Sequence, residues 1–393
     1  PSTSSAASDV YKRQELAFTN KSNFELRKAF FLFSVLDYPI LTKIGNTFLL
    51  LVLKLRVPFK LIIKNTIFNH FCGGETIHDC KSTFQSLKKY NISAMPEYSV
   101  EAESSTEGFE NYKNDSIDLI NFLGEEKLPF IAIKCTGLMD INLLEKISSG
   151  ELSYEGDEYK IFKSRMVELC DAGLKNNVQI LIDAEETWIQ DAIDNVAVEL
   201  MKKYNTKKSM ISLTHQCYRT GTLEKIKRNM KTAKDNGYYY GVKLVRGAYM
   251  EKERERAQNN GYPSPIQPTK KLTDKEFNDS LKYTIDNIDF SSLWVGSHNE
   301  NSCKYLMELM KENNIKSDDN RIWFSQLFGM SDNISFTLSD IGYNVVKLIP
   351  YGPIEKTIPY LIRRANENSS VKGQSNRQFT LIKNEINRRK KLN

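Results

Sequence analysis

YYYGVKLVRGAY, residues 238–249, sets the reading of the whole chain. The apolar run ends in Arg-Gly-Ala and reads as a strand buried on both faces rather than as one side of a helix. Lys243 breaks it. A lysine inside a buried strand costs desolvation unless it meets an acid or an anionic ligand. Gly247 and Ala248 leave the backbone open to a flat ring or a phosphate, or else form a tight turn into the next helix.

Seven more runs share this texture: NISAMPEYSV (91–100), LPFIAIKCT (128–136), VQILIDAEE (178–186), SMISLTHQCY (209–218), SLWVGSHN (292–299), RIWFSQLFG (321–329) and YNVVKLIPYG (343–352). Between successive runs lie 13 to 44 residues of amphipathic sequence, room in nearly every case for a crossover helix. Eight strands, each followed by a helix, is the count of a (β/α)8 barrel, so an α/β fold of that type is expected. A doubly wound open sheet would need a Gly-rich phosphate turn after an early strand, and no GxGxxG occurs. The longest connection, 248–291, carries MEKERERA and a Pro-rich link, read as a helix and an ordered loop over the barrel mouth.

The segments outside the alternation differ. Residues 21–90 show helical spacing (Phe24, Leu26, Phe30, Phe31, Val35), 91–370 hold the barrel, and 371–393 form a basic tail expected to fray. The opening PSTSSAASDVYKRQ, within 1–20, reads as a disordered end or an assembly scar and is left out of fold reasoning. The net charge of +6 is uneven: residues 1–90 carry 13 Lys and Arg against 6 Asp and Glu, so this segment holds +7 and the remainder −1. It could meet an anionic membrane or serve in import; no nucleic-acid-binding module follows it, and no nucleic-acid partner is expected. TFLLLVLKLRVPFKLIIKNTIF (47–68) is broken by four cations and Pro58, so it reads as buried or interfacial helix rather than a span. Six scattered cysteines suggest reduced thiols. His70, Cys72, His78 and Cys80 are zinc-ligand types, but their two-residue spacings put neighbours on different helix faces, and no metal is expected.

Catalytic groups of a barrel sit where strands meet the loops that follow. The polar residues there include Glu97, Glu101, Lys134, Asp183, Glu185, Glu186, Gln216, Lys243, Arg246, His298, Asn299, Ser325, Gln326 and Tyr351. Lys134 and Lys243 could be structural ion pairs with Asp183 or Glu185, or could face an anion. Arg363 and Arg364 in PYLIRRANEN (359–368) lie about 100° apart on a helix, able to close on a carboxylate from two sides or to sit on a solvated face. His298 could be a core histidine and Gln216 a strand-end hydrogen bonder.

The ordered set IAIKCTGL, ILIDAEET, THQCY, KLVRGAY, SHN, QLFGM, PYG and YLIRRANEN resembles the flavin-dependent proline dehydrogenases, especially their eukaryotic mitochondrial branch, over roughly residues 25–370. KLVRGAY and YLIRR-x-x-EN are its most specific parts. The resemblance implies a modified (β/α)8 barrel with a final helix over non-covalent FAD. It implies oxidation of L-proline to 1-pyrroline-5-carboxylate, the first step of proline catabolism. Electrons would pass to ubiquinone, and the chain would sit on the matrix side of the mitochondrial inner membrane, with 40–68 as a possible docking surface.

By the same resemblance, Arg363 and Arg364 match the pair that binds the substrate carboxylate, supported by Lys134. Lys243 matches the basic residue beside flavin N5, and Asp183 the aspartate that organises the polar network. Ala184, Gln216, Val245, Gly247, Ala248, Tyr249, Ser297, His298 and Asn299 match flavin-contacting positions. Leu327 matches a residue packed on the cofactor, Lys270 one near its phosphates, and Glu367 a flavin-side acid. Glu101 matches an acid that pairs with Arg363 when substrate is absent. Leu348 stands where many members carry a tyrosine against the substrate ring, which leaves proline or 4-hydroxyproline open as substrate. The rival readings are a hydroxyproline dehydrogenase and a catalytically silent membrane-associated barrel.

Overall fold

Each of the eight apolar runs coincides with one strand, the sixth strand starting one residue ahead of its run. A computed structural model describes residues 18, 21–36, 64–99, 104–357, 360 and 374–392. The strands are β1 (Ile92–Tyr98), β2 (Phe130–Ile133), β3 (Gln179–Ile182), β4 (Ile211–Gln216), β5 (Tyr240–Val245), β6 (Ser291–Gly296), β7 (Ile322–Leu327) and β8 (Val345–Tyr351). They join one sheet in the order β1-β8-β7-β6-β5-β4-β3-β2, and the fold is a modified (β/α)8 barrel. The helices are α1 (Asn23–Leu36), α2 (Lys81–Lys88), α3 (Thr106–Glu126), α4 (Ile141–Ser149), α5 (Asp157–Asn176), α6 (Gln190–Tyr204), α7 (Thr222–Asp235), α8 (Met250–Asn260), α9 (Lys270–Asp286), α10 (Glu300–Glu312), α11 (Asp332–Asp340) and α12 (Gln374–Leu392). Among the described residues no helix is long and apolar enough to cross a membrane.

The chain divides into two units. Residues 101–324 hold β2 to β6 and the first part of β7. Their helices start where the sequence supplies caps: Ser105 accepts from Gly108 N–H, Asp140 from Asn142 and Leu143, and Thr269 from Leu272. Lys127 and Asn177 end α3 and α5 in the left-handed conformation. Phe130, at the start of β2, meets Trp323 edge-on with centroids 4.9 Å apart and fills the floor of this unit with Trp294. The 248–291 connection differs from expectation. It holds two helices, α8 and α9, and the link between them is pinned by an antiparallel bridge from Ile266 to Arg219.

Residues 1–100 and 325–393 form the other unit. Here β1 and β8 pair in parallel from Ile92 opposite Val345 to Tyr98 opposite Tyr351. The tail expected to fray is instead α12. It buries Ile382 against Phe18, Leu26 and Ala29, and stacks Phe379 on Phe30 at 4.7 Å. Its charge is not all solvated, because buried Glu385 takes both Arg388 and Arg389. Burial of one apolar stripe outweighs the repulsion among the remaining cations. Residues 40–63, Glu101, Arg363, Arg364 and Glu367 lie outside the described residues.

Candidate functional site

In the 101–324 unit, strand register builds a polar layer. Thr214 on β4 lies opposite Lys243 on β5, and Lys243 lies opposite Trp294 on β6, so the three side chains share a face. One step past the end of β3, Asp183 joins them. Lys243 Nζ donates to Asp183 Oδ1 at 2.5 Å and lies 4.9 Å from the Trp294 ring centre, while Thr214 Oγ1 donates to the same carboxylate oxygen at 3.4 Å. Lys243 is only 4% exposed. The ion pair and the indole face offset its desolvation. Trp294 Nε1 is buried and has no hydrogen-bond partner among the described residues.

Above this layer the DAEET stretch ties several elements together, one residue at a time. Glu185 accepts from Thr136 N–H at 3.0 Å and from Thr136 Oγ1 at 2.5 Å, fixing the turn that begins at Lys134. Burial raises the Glu185 pKa to about 7 against these two bonds; Glu186 adds to the rise and Lys134 opposes it. Lys134 sits just past β2, half-buried, its N–H donating to Tyr112 Oη at 3.1 Å. Glu186 pairs with Lys252 of α8. Thr187 donates through both N–H and Oγ1 to Glu253, each at 2.6 Å, and Glu253 is fully buried. Sequence reasoning missed Glu253. It is one charge among many in MEKERERA, and only the approach of Thr187 distinguishes it.

Gln216 bridges two strand ends. Its Nε2 donates to Glu185 O at 2.7 Å, and its Oε1 accepts from Ala248 N–H at 3.1 Å. The chain then passes Gly247 at φ +130°, where a Cβ would lie 2.1 Å from the Tyr218 ring, so only glycine fits. Arg246 turns outward, donating to Asp274 at 2.7 Å and to Ser297 and Ser302 at 3.0 Å each, with its guanidinium 4.4 Å from the Phe277 ring centre. Ser297 accepts from Asn299 N–H, and Asn299 caps α10 through Ser302 N–H. Lys270 is exposed and donates to Asp274 at 2.5 Å, one residue from the Arg246 cluster.

Val245 and Tyr249 are half-buried, Gly247 and Ala248 exposed, and His298 and Asn299 half-buried. The ends of β5 and β6 thus leave a partly open strip of backbone with Lys243 buried beside it. The exposed Gly247–Ala248 backbone, with the buried Lys243 ammonium beside it, is compatible with the flat ring system of FAD. A cleft of about 320 Å³ lies instead between the ends of β3 and β4 and helices α6 and α7, lined in part by Ala184, Glu185, Thr214 and Gln216. A wider groove of about 510 Å³, between Lys227, Lys231 and Lys234 of α7 and Tyr283 and Phe290, contains none of the expected site residues.

The structure therefore brings Lys134, Asp183, Ala184, Gln216, Lys243, Val245, Gly247, Ala248, Tyr249, Ser297, His298 and Asn299 to the ends of β2 to β6. Leu327 ends β7 and Leu348 lies within β8, both half-buried, in the other unit. Among the described residues no group of three or more His, Cys, Asp and Glu side chains is arranged to hold a metal ion. His70 donates instead to a backbone carbonyl, and Cys72 and Cys80 are buried.

A family model described as proline dehydrogenase matches residues 80–377. The chain is 32% identical to "Proline dehydrogenase 1, mitochondrial" of Caenorhabditis elegans over 349 residues, which is 86% of this chain and 56% of that protein. It is 30% identical to hydroxyproline dehydrogenase of Xenopus laevis over 414 residues, covering 95% of this chain and 88% of that one. Proline utilization A from Bdellovibrio bacteriovorus, inactivated by N-propargylglycine, superposes with a TM-score of 0.79 at 20% identity, over 95% of this chain and 43% of that one. The chain spans about half the length of the nematode relative.

Proposed function

This chain belongs to the proline dehydrogenase family, and on that premise we propose that it oxidises L-proline to 1-pyrroline-5-carboxylate with FAD as acceptor. The observation that carries the reading is the Asp183–Thr214–Lys243–Trp294 layer beside the open Val245–Tyr249 strip. The substrate loses a hydride from ring C5 and a proton from nitrogen, leaving the cyclic imine. The chemistry FAD supplies is acceptance of that hydride at N5. Ala184, Gln216, Val245, Gly247, Ala248, Tyr249, Ser297, His298 and Asn299 would hold it, with Leu327 packed on it and Lys270 and Glu367 at its flanks.

With FAD held there, Lys243 would set a fixed positive charge beside the acceptor, and Asp183 keeps that ammonium oriented. By the family resemblance, Arg363 and Arg364 would hold the substrate carboxylate with Lys134, and Glu101 would pair with Arg363 in the absence of substrate. Fixing a small zwitterion in this way places C5 for transfer, a contribution of up to roughly 7–11 kcal/mol in ideal systems. The electrons would then pass to a quinone in the mitochondrial inner membrane, from the matrix side; the names of relatives support the mitochondrion as the organelle.

A second reading, hydroxyproline dehydrogenase, is left open by Leu348 in place of the family tyrosine and is supported by the 88% coverage of the Xenopus protein. One experiment addresses both. Purified protein is scanned anaerobically before and after L-proline, then with trans-4-hydroxy-L-proline. Bleaching of a yellow band by proline supports the first reading, and bleaching only by the hydroxylated ring supports the second. A colourless protein sinks both and leaves the catalytically silent barrel.

A further inference from the structure

The turn after β7 is held from behind by donors that no expected site residue accounts for. β7 ends at Leu327, and the chain turns through Phe328, Gly329, Met330 and Ser331 into α11. Gly329 sits at φ +75°, and a Cβ there would lie 2.2 Å from the His70 carbonyl oxygen, so the turn lies directly on the segment that carries His70. Three carbonyls of the turn take side-chain donors. Lys347 Nζ donates to Met330 O at 2.5 Å and, more weakly, to Leu327 O at 3.3 Å; His70 Nε2 donates to Gly329 O at 3.0 Å.

Lys347 lies on β8 and is 1% exposed. Its remaining acceptor is Asp332 Oδ1 at 2.9 Å, so all three ammonium protons are used. Asp332 Oδ2 takes Lys21 Nζ at 2.6 Å. Asp332 is the first residue of α11, where the helix N-terminus also favours a carboxylate. Lys21 is itself held from the far end of the chain: Arg389 of α12 donates to Lys21 O and to Phe18 O, each at 2.8 Å.

The charge states agree with this geometry. Burial lowers the His70 pKa to about 3, with Lys21 adding to the fall, so the ring is a neutral donor. Burial would raise the Asp332 pKa, but Lys21 and Lys347 outweigh it and hold the carboxyl below its usual range. A buried ion pair is not needed for stability, since apolar residues of similar volume often serve as well or better. A specific geometry is what it adds.

We propose that Lys347, anchored by Asp332 and seconded by His70, is a positioning residue that fixes the height of Leu327 at the end of β7. This rests on the reading that Leu327 packs on the flavin. Lys347→Met keeps the volume and removes all three donors. His70→Leu removes one donor, and His70→Gln restores one.

The test uses the full chain with its flavin and reads amide exchange at Phe328–Ser331, the flavin visible spectrum, and kcat and KM separately. Expected for Lys347→Met are at least tenfold faster exchange in the turn, a shifted or weakened flavin band, and a fall in kcat larger than any change in KM. His70→Leu should show a smaller version of the same changes, and His70→Gln should recover most of it. Wild-type exchange and spectrum in both Lys347→Met and His70→Leu would overturn the proposal. Loosened exchange with an unmoved flavin band would overturn it too, by making the network merely structural. If Lys347→Met fails to fold, the His70 pair decides by the same readouts. A colourless wild-type protein would sink the functional reading and this inference together, whereas a yellow wild type with unmoved variants sinks this inference alone.

Discussion

Two buried strand lysines, one in each unit, meet aspartates in different ways. Lys243 on β5 spends one hydrogen bond on Asp183 and faces an indole ring. Lys347 on β8 spends all three, on Asp332 and two carbonyls, and its aspartate carries a second lysine. Among the described residues the first keeps donors in reserve beside an open strip of backbone, whereas the second is saturated. A buried cation with unused donors can meet an incoming ligand, and a saturated one can only hold its neighbours in place.

The sharpest way to break this contrast is to remove each aspartate. Asp332→Ala strands two ammoniums and should cost about 5 kcal/mol in urea unfolding, with Asp183→Ala nearer 3, because it strands one lysine that still faces Trp294. An equal or larger loss at Asp183 would erase the distinction. The next effect concerns Glu185, whose carboxyl is raised from the ordinary 4.5 to about 7 by burial against the Thr136 bonds. A folded-state pKa raised in this way contributes stability that is complete below the unfolded value and lost as pH climbs through the folded one. Between pH 4.5 and about 7 the protein should therefore lose on the order of 3 kcal/mol. Glu185→Gln, which keeps an acceptor for Thr136, should flatten that slope in a pH series of unfolding curves; an unchanged slope would mean that Glu185 is already ionised well below pH 7. The smallest effect separates capping from cofactor contact at Asn299. Asn299→Ala should cost about 1 kcal/mol of stability through Ser302 N–H at the start of α10. A change in flavin affinity beyond that loss would add a direct contact to its capping role.

The barrel was legible because eight buried parallel strands write eight apolar runs, and each run coincides with its strand. A charged partner for Lys243 was legible too, since a lysine in an apolar strand demands an acid or an anion, but the choice of Asp183 over Glu185 was not. Lys347 obeys the same rule but was passed over inside KLIPYG, where the proline and the missing tyrosine drew the reading. His70 gave no usable signal. Its partner is a backbone carbonyl 259 residues away, and a carbonyl has no identity in sequence. The 371–393 tail misled for a related reason: its dense positive charge hides the stripe through Phe379 and Ile382 that makes α12 a packed helix.

Local pattern alone determined where the strands lie, which residues sit at their ends, and that a cation is buried in β5. Those features follow from alternation and burial within a few neighbouring positions. Tertiary structure decided which acid meets which base, that Glu253 is buried among exposed charges, and that Lys347 is saturated where Lys243 is not. Hydrogen bonds and ion pairs between distant segments depend on distances that come into being only once the strands are in register.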